Sequence, residues 1–522
     1  MTQNDIVQKL WNLCDVLRDD GINYSDYVTE LVMLLFIKME YEITEANVLQ
    51  KHKLPEGNRW PDIRDKSGLV LLNYYRQMLL DLGKTKDPLI AAIYADAQTR
   101  LREPRHLEQL IKSIDGIDWF SAERDGLGDL YEGLLEKNVS ETKSGAGQYF
   151  TPRPLINSIV RCVKPKAGEI IQDPAAGTAG FLIAADAHIK AQTNDLYDLK
   201  DKDRTFQITK AYVGMELVPG TRRLALMNCL LHGMEGEDEG IVHLGNTLGE
   251  PGKSLPRADL VLTNPPFGTA RGGGGPTRDD FTYTTSNKQL AFLQHVYRSL
   301  KPGGRAAIVL PDNVLFEAGV GTEIRRDLMN KCTLHTILRL PTGIFYAQGV
   351  KTNVLFFTKG TAENKDQDEA CTKQVWVYDL RTNMPSFGKR TPFGNDHLVP
   401  FETVYGENPD GSSSRTSGEW SFMNGDGDHT EDTSRWRCFS REWISTQKGD
   451  SLDISWIKDD ASVDASKLPE PEVLAVEAMS ELTEALRELN ELMVALGCED
   501  EAQVQRDALI DTLGLISDKE EK

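Results

Sequence analysis

The stretch EIIQDPAAGTAGFLIAADAHI, residues 169–189, decides the fold class of this chain. It begins with a β-rich run, ends with a helical pattern, and places small residues between the two. Glycine and alanine let the backbone approach a ligand at the amino end of a helix, where N–H groups lack helical partners. The stretch therefore predicts an α/β sheet with a ligand-binding turn after its first strand, and a plain tight turn is the alternative.

Five further β-rich runs, separated by helical stretches, follow this first strand. Together with EIIQD (169–173) the runs are AYVGME (211–216), ADLVLTN (258–264), RAAIVLP (305–311), LHTILRLP (334–341) and NVLFFTK (353–359). Continuous apolar runs of this length are typical of parallel strands whose two faces are both covered. We therefore predict a doubly wound, Rossmann-like α/β sheet.

Three other regions differ in composition from the predicted sheet. Residues 1–140 carry apolar residues at helical spacing, and this predicts an all-helical N-terminal domain ahead of a catalytic domain over 141–470. Residues 406–435 are rich in Gly, Ser, Asp and Asn, a composition that predicts a mobile loop. Residues 471–522 are acidic, with apolar residues at heptad spacing. We predict that they form a C-terminal helical assembly segment, which docks on a partner or folds back on its own domain.

The length of 522 residues predicts about three domains at roughly 150 residues each. Neither a secretory signal nor an apolar run long enough for a membrane span is visible, so we expect a cytoplasmic protein without membrane contact. The seven cysteines are scattered, so we expect reduced thiols and no metal site. The net charge of −21 argues against a chain that binds DNA alone over a broad surface. The basic pairs Arg222-Arg223 and Arg325-Arg326 are interpreted as solvated helix faces, with contacts to phosphates or acids as the alternative.

The segment TNPPFG, residues 263–268, ends the apolar run ADLVL and carries the predicted chemistry. At the carboxyl ends of its strands, an open parallel sheet presents its ligand crevice. Two prolines fix the backbone direction, and the Asn264 side-chain oxygen and a neighbouring carbonyl can accept both hydrogens of an exocyclic amine. This pairing frees the nitrogen lone pair for in-line attack on an electrophilic methyl group. Phe267 then offers a stacking face for a flat base.

Each of these two motifs has an alternative interpretation. The first can be written A-x-G-x-x-G, like a dinucleotide fingerprint, but Glu216, the next acid at a strand end, lies about twice as far along as the roughly 20 residues expected. Asn-Pro-Pro can also form a turn that simply ends a strand. The position of Asn264 about 90 residues after Asp173, in a sheet of this kind, favours the methyl-transfer site.

These motifs resemble those of a known family. Residues 173–181 resemble motif I of S-adenosylmethionine-dependent methyltransferases, and residues 264–267 resemble motif IV of the amino-methylating nucleic-acid enzymes. With QYFTPR (148–153), the segment 338–360, the helical N-terminal block and the acidic C-terminal helix, the chain is similar over nearly its whole length to the modification subunit of type I restriction-modification systems. The resemblance implies a methyltransferase fold and methyl transfer to N6 of adenine in DNA.

The resemblance also implies roles for individual residues. Asp173 matches an acid near the methionine amino group, Glu216 matches the acid that binds the ribose hydroxyls, and Asn246 matches a position near the cofactor adenine. The residues implied to bind the cofactor are Gln148, Tyr149, Phe150, Thr151, Pro152, Arg153, Asp173, Gly177, Thr178, Ala179, Gly180, Glu216 and Asn246. The residues implied to be catalytic are Asn264, Pro265, Pro266 and Phe267.

The partners follow from the same resemblance. It implies that a separate specificity subunit chooses the DNA sequence, that two copies of this chain bind one specificity subunit, and that a restriction subunit completes the nuclease. The target adenine must be flipped out of the duplex into the pocket. We expect the glycine-rich residues 268–276 to become ordered when DNA or the flipped base binds, and a passive surface loop is the alternative.

Three other functions stay open from the sequence. A methyltransferase acting on glutamine amide nitrogen in a protein would use the same Asn-Pro-Pro chemistry, because that target is also a planar amine. A non-catalytic scaffold would retain the cofactor fold and hold a DNA-reading partner, although the intact Asn264 and Glu216 argue against it. A nicotinamide oxidoreductase has the least support, because the sequence supplies no hydride-transfer site.

Overall fold

The computed structural model describes most of the chain before residue 458 and four residues after it. The described residues are 3–22, 26–46, 51–117, 119, 127–141, 151–267, 276–345, 350–361, 371–388, 391–416, 434–457, 479, 487, 490 and 493. The chain divides into two compact units, Met1–Ile457 and Lys458–Lys522. Several predictions fall outside the described residues, namely those for Gln148, Tyr149, Phe150, residues 268–275, residues 417–433 and most of the heptad pattern. The predicted domain limits stay predictions.

The N-terminal region is helical, as predicted, and its described residues include no strand. Its helices are α1 (Gln3–Asn12), α2 (Cys14–Asp19), α3 (Tyr27–Ala46), α4 (Trp60–Arg64), α5 (Gly68–Leu82), α6 (Pro88–Ile93), α7 (Pro104–Asp115) and α8 (Leu127–Glu141). Residues 31–37 of α3 are fully buried, which explains their uninterrupted apolar run. Within the part of the chain that the structure describes, no helix has both the length and the apolar composition needed to cross a membrane.

The rest of the first unit is built on one sheet. Its strands are β1 (Ile171–Asp173), β2 (Tyr212–Glu216), β3 (Val242–Leu244), β4 (Ala258–Thr263), β5 (Leu300–Pro311), β6 (Cys332–Arg339), β7 (Thr352–Lys359), β8 (Gln374–Asp379) and β9 (Trp436–Ser440). Their order in the sheet is β3-β2-β1-β4-β5-β7-β6-β8-β9. The six predicted β-rich runs correspond to β1, β2, β4, β5, β6 and β7. The strands β3, β8 and β9 were not predicted, although QVWVYD in β8 is a detectable β-rich run.

Helices cover both faces of this sheet, which confirms the doubly wound fold. They are α9 (Arg153–Val163), α10 (Gly180–Gln192), α11 (Asp201–Thr209), α12 (Pro219–Leu231), α13 (Lys288–Ser299), α14 (Asn313–Phe316), α15 (Val320–Lys331), α16 (Val399–Tyr405) and α17 (Arg441–Lys448). Leu260 and Leu262 of β4 pack in one apolar core with α9 and α10. Val261 between them packs in a second core with α13 and α15. Since successive side chains of a strand point to opposite faces, β4 is buried on both sides and has a continuous apolar sequence.

The sheet is mixed, which corrects the prediction that all six runs form parallel strands. β7 runs antiparallel to both of its neighbours, β5 and β6, and β9 runs antiparallel to β8. Parallel neighbours require a crossover connection, which is usually helical. The described part of the connection from β6 to β7 contains no helix. The run NVLFFTK therefore returns beside β6 in the opposite direction, a property that its apolar composition does not reveal.

One arginine of each basic pair is buried, although the sequence predicted solvated helix faces. Arg325 is 1% exposed, and its guanidinium donates to the carbonyl oxygens of Asp450, Val314 and Glu317 at 2.8, 3.0 and 2.9 Å. Arg222 is also buried, at 7% exposure. Buried charged groups require such partners. The prediction of solvated helix faces was wrong for these two residues, because their guanidinium groups are buried and hydrogen-bonded. Arg222 donates to the Val242 carbonyl at 2.7 Å and pairs with the Glu239 carboxylate at 2.9 Å, which is the contact with an acid that the alternative interpretation named.

Part of the predicted mobile loop, residues 406–416, is described and packs on the sheet. The Arg415 guanidinium donates to the Tyr405 carbonyl at 2.9 Å and to Thr336 Oγ1 at 3.0 Å. It also lies 5.5 Å from the ring centre of Trp436, at the start of β9. Both ends of the segment that is outside the described residues are therefore attached to the same sheet.

Candidate active site

The carboxyl ends of three neighbouring strands carry the predicted polar residues. β1 pairs in parallel with β2 on one side and with β4 on the other. Asp173 ends β1, Glu216 ends β2, and Asn264 directly follows β4. The strand order changes direction between β1 and β4, and ligands of open α/β sheets bind at such a point. The three side chains therefore belong to one candidate site.

Small residues form the turn from β1 to α10, and they allow its backbone to fold tightly. Gly177 and Ala179 have positive φ angles of 53° and 69°, and α10 begins at the next residue, Gly180. The Ala179 amide donates to the Ala176 carbonyl at 2.7 Å, and the Ala176 amide donates to the Met215 carbonyl of β2 at 3.0 Å. An added Cβ at Gly177 would meet no atom of the described chain within 4 Å. The space over the turn is therefore open to a ligand.

The Glu216 carboxylate connects β2 to this turn. Its Oε2 accepts the Gly177 amide at 3.0 Å, and its Oε1 accepts the Val218 amide at 2.8 Å. Burial raises the pKa of Glu216 above its usual value, and the backbone hydrogen bonds oppose this rise. Because each carboxylate oxygen has two lone pairs, Glu216 can still accept hydrogen bonds from ligand hydroxyls.

Asp173 is a buried carboxyl group at the end of β1, the strand that lies between β2 and β4. It is 2% exposed, and its Oδ1 accepts the Ala175 amide at 3.0 Å. Burial raises the pKa of Asp173 to about 7, and the nearby Glu216 carboxylate contributes to this rise. Asp173 therefore changes its protonation near neutral pH, and a ligand cation beside it would favour the charged form.

A buried amide on α12 supports the cofactor turn. Asn228 is fully buried, and its Nδ2 donates to the Thr178 carbonyl at 3.0 Å and to Glu132 Oε1 at 3.3 Å. Arg153 forms an ion pair with Glu132, and its Nη1 donates to the Gly180 carbonyl at 3.5 Å. Burial lowers the pKa of Arg153 to about 10. These contacts link α8 of the helical region to the turn, so that Arg153 supports the turn itself.

The Asn-Pro-Pro-Phe turn is fixed by side chains from two other elements. The Asn264 Nδ2 donates to Thr151 Oγ1, ahead of α9, at 2.9 Å. The Pro266 carbonyl accepts a hydrogen bond from Gln289 Nε2 at 3.0 Å. Gln289 is 2% exposed in the first turn of α13, and its backbone amide donates to Asn287 Oδ1 at 2.9 Å. Buried polar residues therefore set the direction of the turn and the orientation of the Asn264 amide.

Phe267 packs against a second aromatic ring. Its centroid lies 5.9 Å from that of Phe345, with an interplanar angle of 75°, and Phe345 is 3% exposed. Such an edge-to-face pair is favourable and restricts the rotation of both rings. Phe267 itself is half-buried, so part of its ring can still stack on a flat ligand.

The residues after β3 complete the described edge of the site. Asn246 Oδ1 accepts the Leu248 amide at 3.0 Å, which closes a tight turn. Thr247 Oγ1 donates to the Pro174 carbonyl at 2.5 Å, so this turn is attached to the one after β1. The position of Asn246 is thereby fixed, and its contact with a cofactor adenine stays a prediction.

The structure thus brings the described predicted residues to one edge of the sheet and adds three that were not predicted. These are Asn228, Gln289 and Phe345. Asn228 is the single polar residue within the apolar helical run ALMNCLL. A buried polar side chain requires a hydrogen-bond partner, so the position of Asn228 in such a run was a detectable signal. Gln289 gives a weaker signal, because the segment KQLAFLQHV also contains Lys288, Gln294 and His295. Phe345 offers no such signal, because its contact with Phe267 depends on the path of the chain after β6.

One group of three potential metal ligands occurs among the described residues. Single ligand atoms of Asp129, Glu132 and His232 lie within 4.8 Å of one another. Glu132 is engaged by Arg153 and Asn228, and the Asp129 side chain is 61% exposed. We assign no metal to this group, and the expectation of a metal-free site stays a prediction.

The polar groups of the site fit a cofactor that combines a ribose with an ammonium group. Two carboxylates at neighbouring strand ends can accept hydroxyl hydrogens and pair with a cation. The open space over Gly177 admits the ligand backbone between them. The described part of the site therefore has the chemistry that S-adenosylmethionine requires.

Three family models match successive parts of the chain. The model described as N-6 DNA Methylase matches residues 122–425. The HsdM N-terminal domain matches residues 6–114, and the C-terminal domain of the type I restriction enzyme methylase subunit matches residues 468–511.

Individual proteins are similar over almost the whole chain. The type I restriction enzyme StySPI methylase subunit of Salmonella potsdam is 59% identical, and the match covers 98% of this chain and 99% of that protein. The crystal structure of the type I restriction enzyme EcoKI M protein is 55% identical with a TM-score of 0.58, covering 97% of this chain and 99% of that one. A chain from a structure that addresses complex assembly and conformational transition of the type I R-M system is 25% identical with a TM-score of 0.67, covering 96% and 99%.

Proposed function

Since this chain belongs to the type I restriction enzyme methylase subunits, which are N-6 DNA methylases, we propose that it transfers a methyl group from S-adenosylmethionine to adenine N6 in duplex DNA. The observation that carries this proposal is the position of the Asn264 turn beside Asp173 and Glu216 at the point where the strand order changes direction. A cofactor held by the two carboxylates lies next to a turn that can bind an amine.

Two carboxylates and one backbone turn would hold the cofactor. Glu216 accepts the ribose hydroxyls while it keeps the Gly177 amide in place. Asp173 pairs with the ammonium of the methionine part, and the turn at residues 177–180 lets the backbone approach it. When bound, S-adenosylmethionine supplies a methyl group on a positively charged sulfur. Residues 148–153 and Asn246 complete the proposed cofactor site.

The Asn-Pro-Pro-Phe turn would hold the target base. The Asn264 amide oxygen and the Pro265 carbonyl accept the two amine hydrogens, which directs the nitrogen lone pair toward the methyl group. Phe267 stacks on the flipped adenine, and Phe345 keeps its ring in position. Because these groups are fixed before the base arrives, the reaction requires little reorganisation of the protein.

Binding energy from partners would support base flipping. Extruding a base from a duplex costs a few kcal/mol, and the net charge of −21 disfavours DNA binding by this chain alone. A separate specificity subunit would supply sequence recognition, with two copies of this chain on each, and a restriction subunit would join them. The family match over residues 468–511 and the similarity to a chain from a structure on complex assembly of the type I R-M system support this arrangement.

Transfer of labelled methyl from S-adenosylmethionine to duplex DNA tests the proposal. The chain is assayed alone and with its specificity subunit, and the labelled nucleoside is identified. We expect label in N6-methyladenine only when the specificity subunit is present. If an assembled complex that binds the cofactor transfers no label, the chain would instead be a protein amide methyltransferase or a scaffold, which a labelled-protein assay separates.

Cofactor affinity should depend on pH through Asp173. Because the pKa of this buried carboxyl is raised to about 7, the group loses its charge as the pH falls below that value. The ammonium of the cofactor stays charged there, so the Kd should rise with falling pH, with a limiting slope of about tenfold per unit. Equilibrium binding across this range measures the slope.

Asp173→Asn provides the control for this pH dependence. Its affinity should be low and nearly constant through neutral pH, because asparagine does not titrate. A wild-type Kd that does not change between slightly acidic and slightly alkaline pH would contradict the proposed role of Asp173.

Gln289→Leu should slow methyl transfer without lowering the affinity for S-adenosylmethionine. The leucine cannot donate to the Pro266 carbonyl, so the turn loses the contact that directs it. Since small displacements at a reacting centre can reduce rates by up to about 10²-fold, we expect kcat to fall by about tenfold. Single-turnover methylation measures this change, and equilibrium binding verifies an unchanged Kd for S-adenosylmethionine.

Gln294→Leu is the matched control on the same helix. Gln294 is also fully buried, but its Nε2 donates to the Tyr283 carbonyl at 2.9 Å, away from the catalytic turn. Equal losses of kcat in both variants would show that Gln289 acts only through general stability.

A further inference from the structure

A basic cavity lies at the sheet edge opposite the methyl-transfer site. Its volume is about 570 Å³, and its lining includes one acidic side chain, Asp280. The basic side chains that line it are Lys253, Arg257, Arg278, Arg298, Lys331 and Lys359. This concentration of positive charge is notable because the whole chain has a net charge of −21.

The sheet topology separates the cavity from the catalytic turn. Arg257 precedes β4, Lys331 precedes β6, and Lys359 ends the antiparallel strand β7, so all three lie where the parallel strands begin. Asn264 follows the other end of β4, and the six residues of that strand span roughly 20 Å. The cavity is therefore a distinct site.

Half of the lining cations have no carboxylate partner among the described residues. Three of the six form ion pairs, and Arg278 with Asp280 at 2.5 Å is one of them. None of the ion pairs between described residues includes Arg257, Arg298 or Lys359. Arg298 instead donates to a hydroxyl, that of Thr282, at 3.0 Å. The positive charge of the lining residues therefore exceeds the negative charge of the carboxylates that pair with them.

Lys359 is a cation of this cavity that is partly withdrawn from solvent. Its Nζ donates to the Tyr297 carbonyl at 2.9 Å and lies 5.8 Å from the centre of the Tyr297 ring. Burial lowers the pKa of Lys359 below its usual value. Because a desolvated charge is stabilised by an opposite charge, an anion in the cavity would interact favourably with this ammonium.

Arg278 is fixed in position at the cavity wall. Its Nη1 donates to His295 Nδ1 at 2.8 Å, and its Nε and Nη2 donate to the two Asp280 oxygens at 2.8 and 2.5 Å. Burial lowers the pKa of His295 to about 3, so the ring stays neutral and accepts this bond. Part of the basic wall is thus arranged before any ligand enters, which reduces the entropy lost on binding.

We propose that this cavity binds the phosphate chain of a small polyphosphate, either an inorganic polyphosphate or the triphosphate of a nucleotide. Guanidinium groups bind phosphate oxygens in a bidentate manner, and lysines add point charges. The volume falls in the range of small-molecule sites, roughly 300–1,000 Å³, which admits a short phosphate chain but not a DNA duplex. Arg257, Arg298 and Lys359 supply the charge that the ligand neutralises.

Calorimetric titration of the full-length chain tests this proposal. Inorganic tripolyphosphate and ATP are each added in a chloride buffer of physiological ionic strength. We expect saturable binding at one site per chain. Tighter binding of ATP would assign a nucleotide as the ligand, whereas equal affinities would assign the phosphate chain alone. No saturable binding of either compound would overturn the proposal.

Variants that each remove one positive charge test whether tripolyphosphate binds in this cavity. Arg298→Gln should weaken tripolyphosphate binding at least tenfold, and Arg257→Gln, at an exposed position, provides a second variant that should fold normally. Lys301→Gln is the control for general loss of positive charge, because Lys301 lies on the same edge but pairs with Asp259 outside the lining. Equal effects of all three changes would contradict a specific site.

Competition with S-adenosylmethionine distinguishes this cavity from the proposed cofactor site. Saturating S-adenosylmethionine should leave the tripolyphosphate and ATP titrations unchanged, because the two sites lie at opposite strand ends. Displacement of ATP by S-adenosylmethionine would place the nucleotide in the cofactor site and refute the proposal for the cavity. Methyl transfer by Arg298→Gln, measured with the specificity subunit, should retain the wild-type kcat.

Discussion

Asn264→Ala is expected to lower kcat for adenine methylation by roughly 10²–10³-fold, the loss typical when one fixed polar group is removed from an active site. Alanine removes the oxygen that accepts an amine hydrogen, so the nitrogen lone pair is no longer directed at the methyl group. The Kd for S-adenosylmethionine should change little, because Asp173 and Glu216 belong to other strands. Single-turnover methylation and equilibrium binding measure the two quantities separately.

Asn264→Asp is the matched control for this experiment. An aspartate retains an acceptor oxygen at the same place, and Thr151 Oγ1, now 2.9 Å from the asparagine nitrogen, can donate to it. The loss of kcat should therefore be smaller than in the alanine variant. Methylation by Asn264→Ala at the wild-type rate would refute the proposed role of the turn.

Glu216→Ala is expected to weaken S-adenosylmethionine binding by about 10–100-fold, since hydrogen bonds to a charged group contribute roughly 1.5–3 kcal/mol. The carboxylate also holds the Gly177 and Val218 amides, so its loss affects both the ribose contact and the turn. At saturating cofactor, kcat should stay within a few-fold of the wild type, because Asn264 and Phe267 remain in place.

Glu216→Gln separates these two contributions. Glutamine keeps one oxygen that can accept the Gly177 amide, but it lacks the negative charge that strengthens bonds to hydroxyls. Its affinity should lie between those of the wild type and the alanine variant, with thermal unfolding as a check on folding. An unchanged Kd in both variants would remove Glu216 from the cofactor site.

Much of the fold could be predicted because local sequence patterns report burial. The periodicity of residues 1–140 gave the helical region, and the apolar runs from 169 to 359 gave six of the nine strands. The motif at 173–181 and the tetrapeptide at 264–267 also predicted a site at the carboxyl ends of the strands, since parallel topology brings those ends together. The family comparisons confirm the enzyme class that these motifs indicated.

Other features could not be predicted because they depend on contacts between distant segments. The antiparallel direction of β7 follows from the path of the chain between β6 and β7, which apolar composition does not encode. The raised pKa of Asp173 depends on its burial beside Glu216. Arg325 is buried because the backbone carbonyls of Val314, Glu317 and Asp450, from two other segments, surround its guanidinium.

Residue type and short-range spacing were therefore sufficient to predict the class of the fold, the candidate site residues and the proposed chemistry. The residues that support the site depend on contacts between distant segments, so they became evident from the folded chain. Gln289 meets Pro266, and Asn228 meets Thr178, across separations that no local pattern records. The basic cavity arises in the same way, because cations from several segments converge only after the strands have paired.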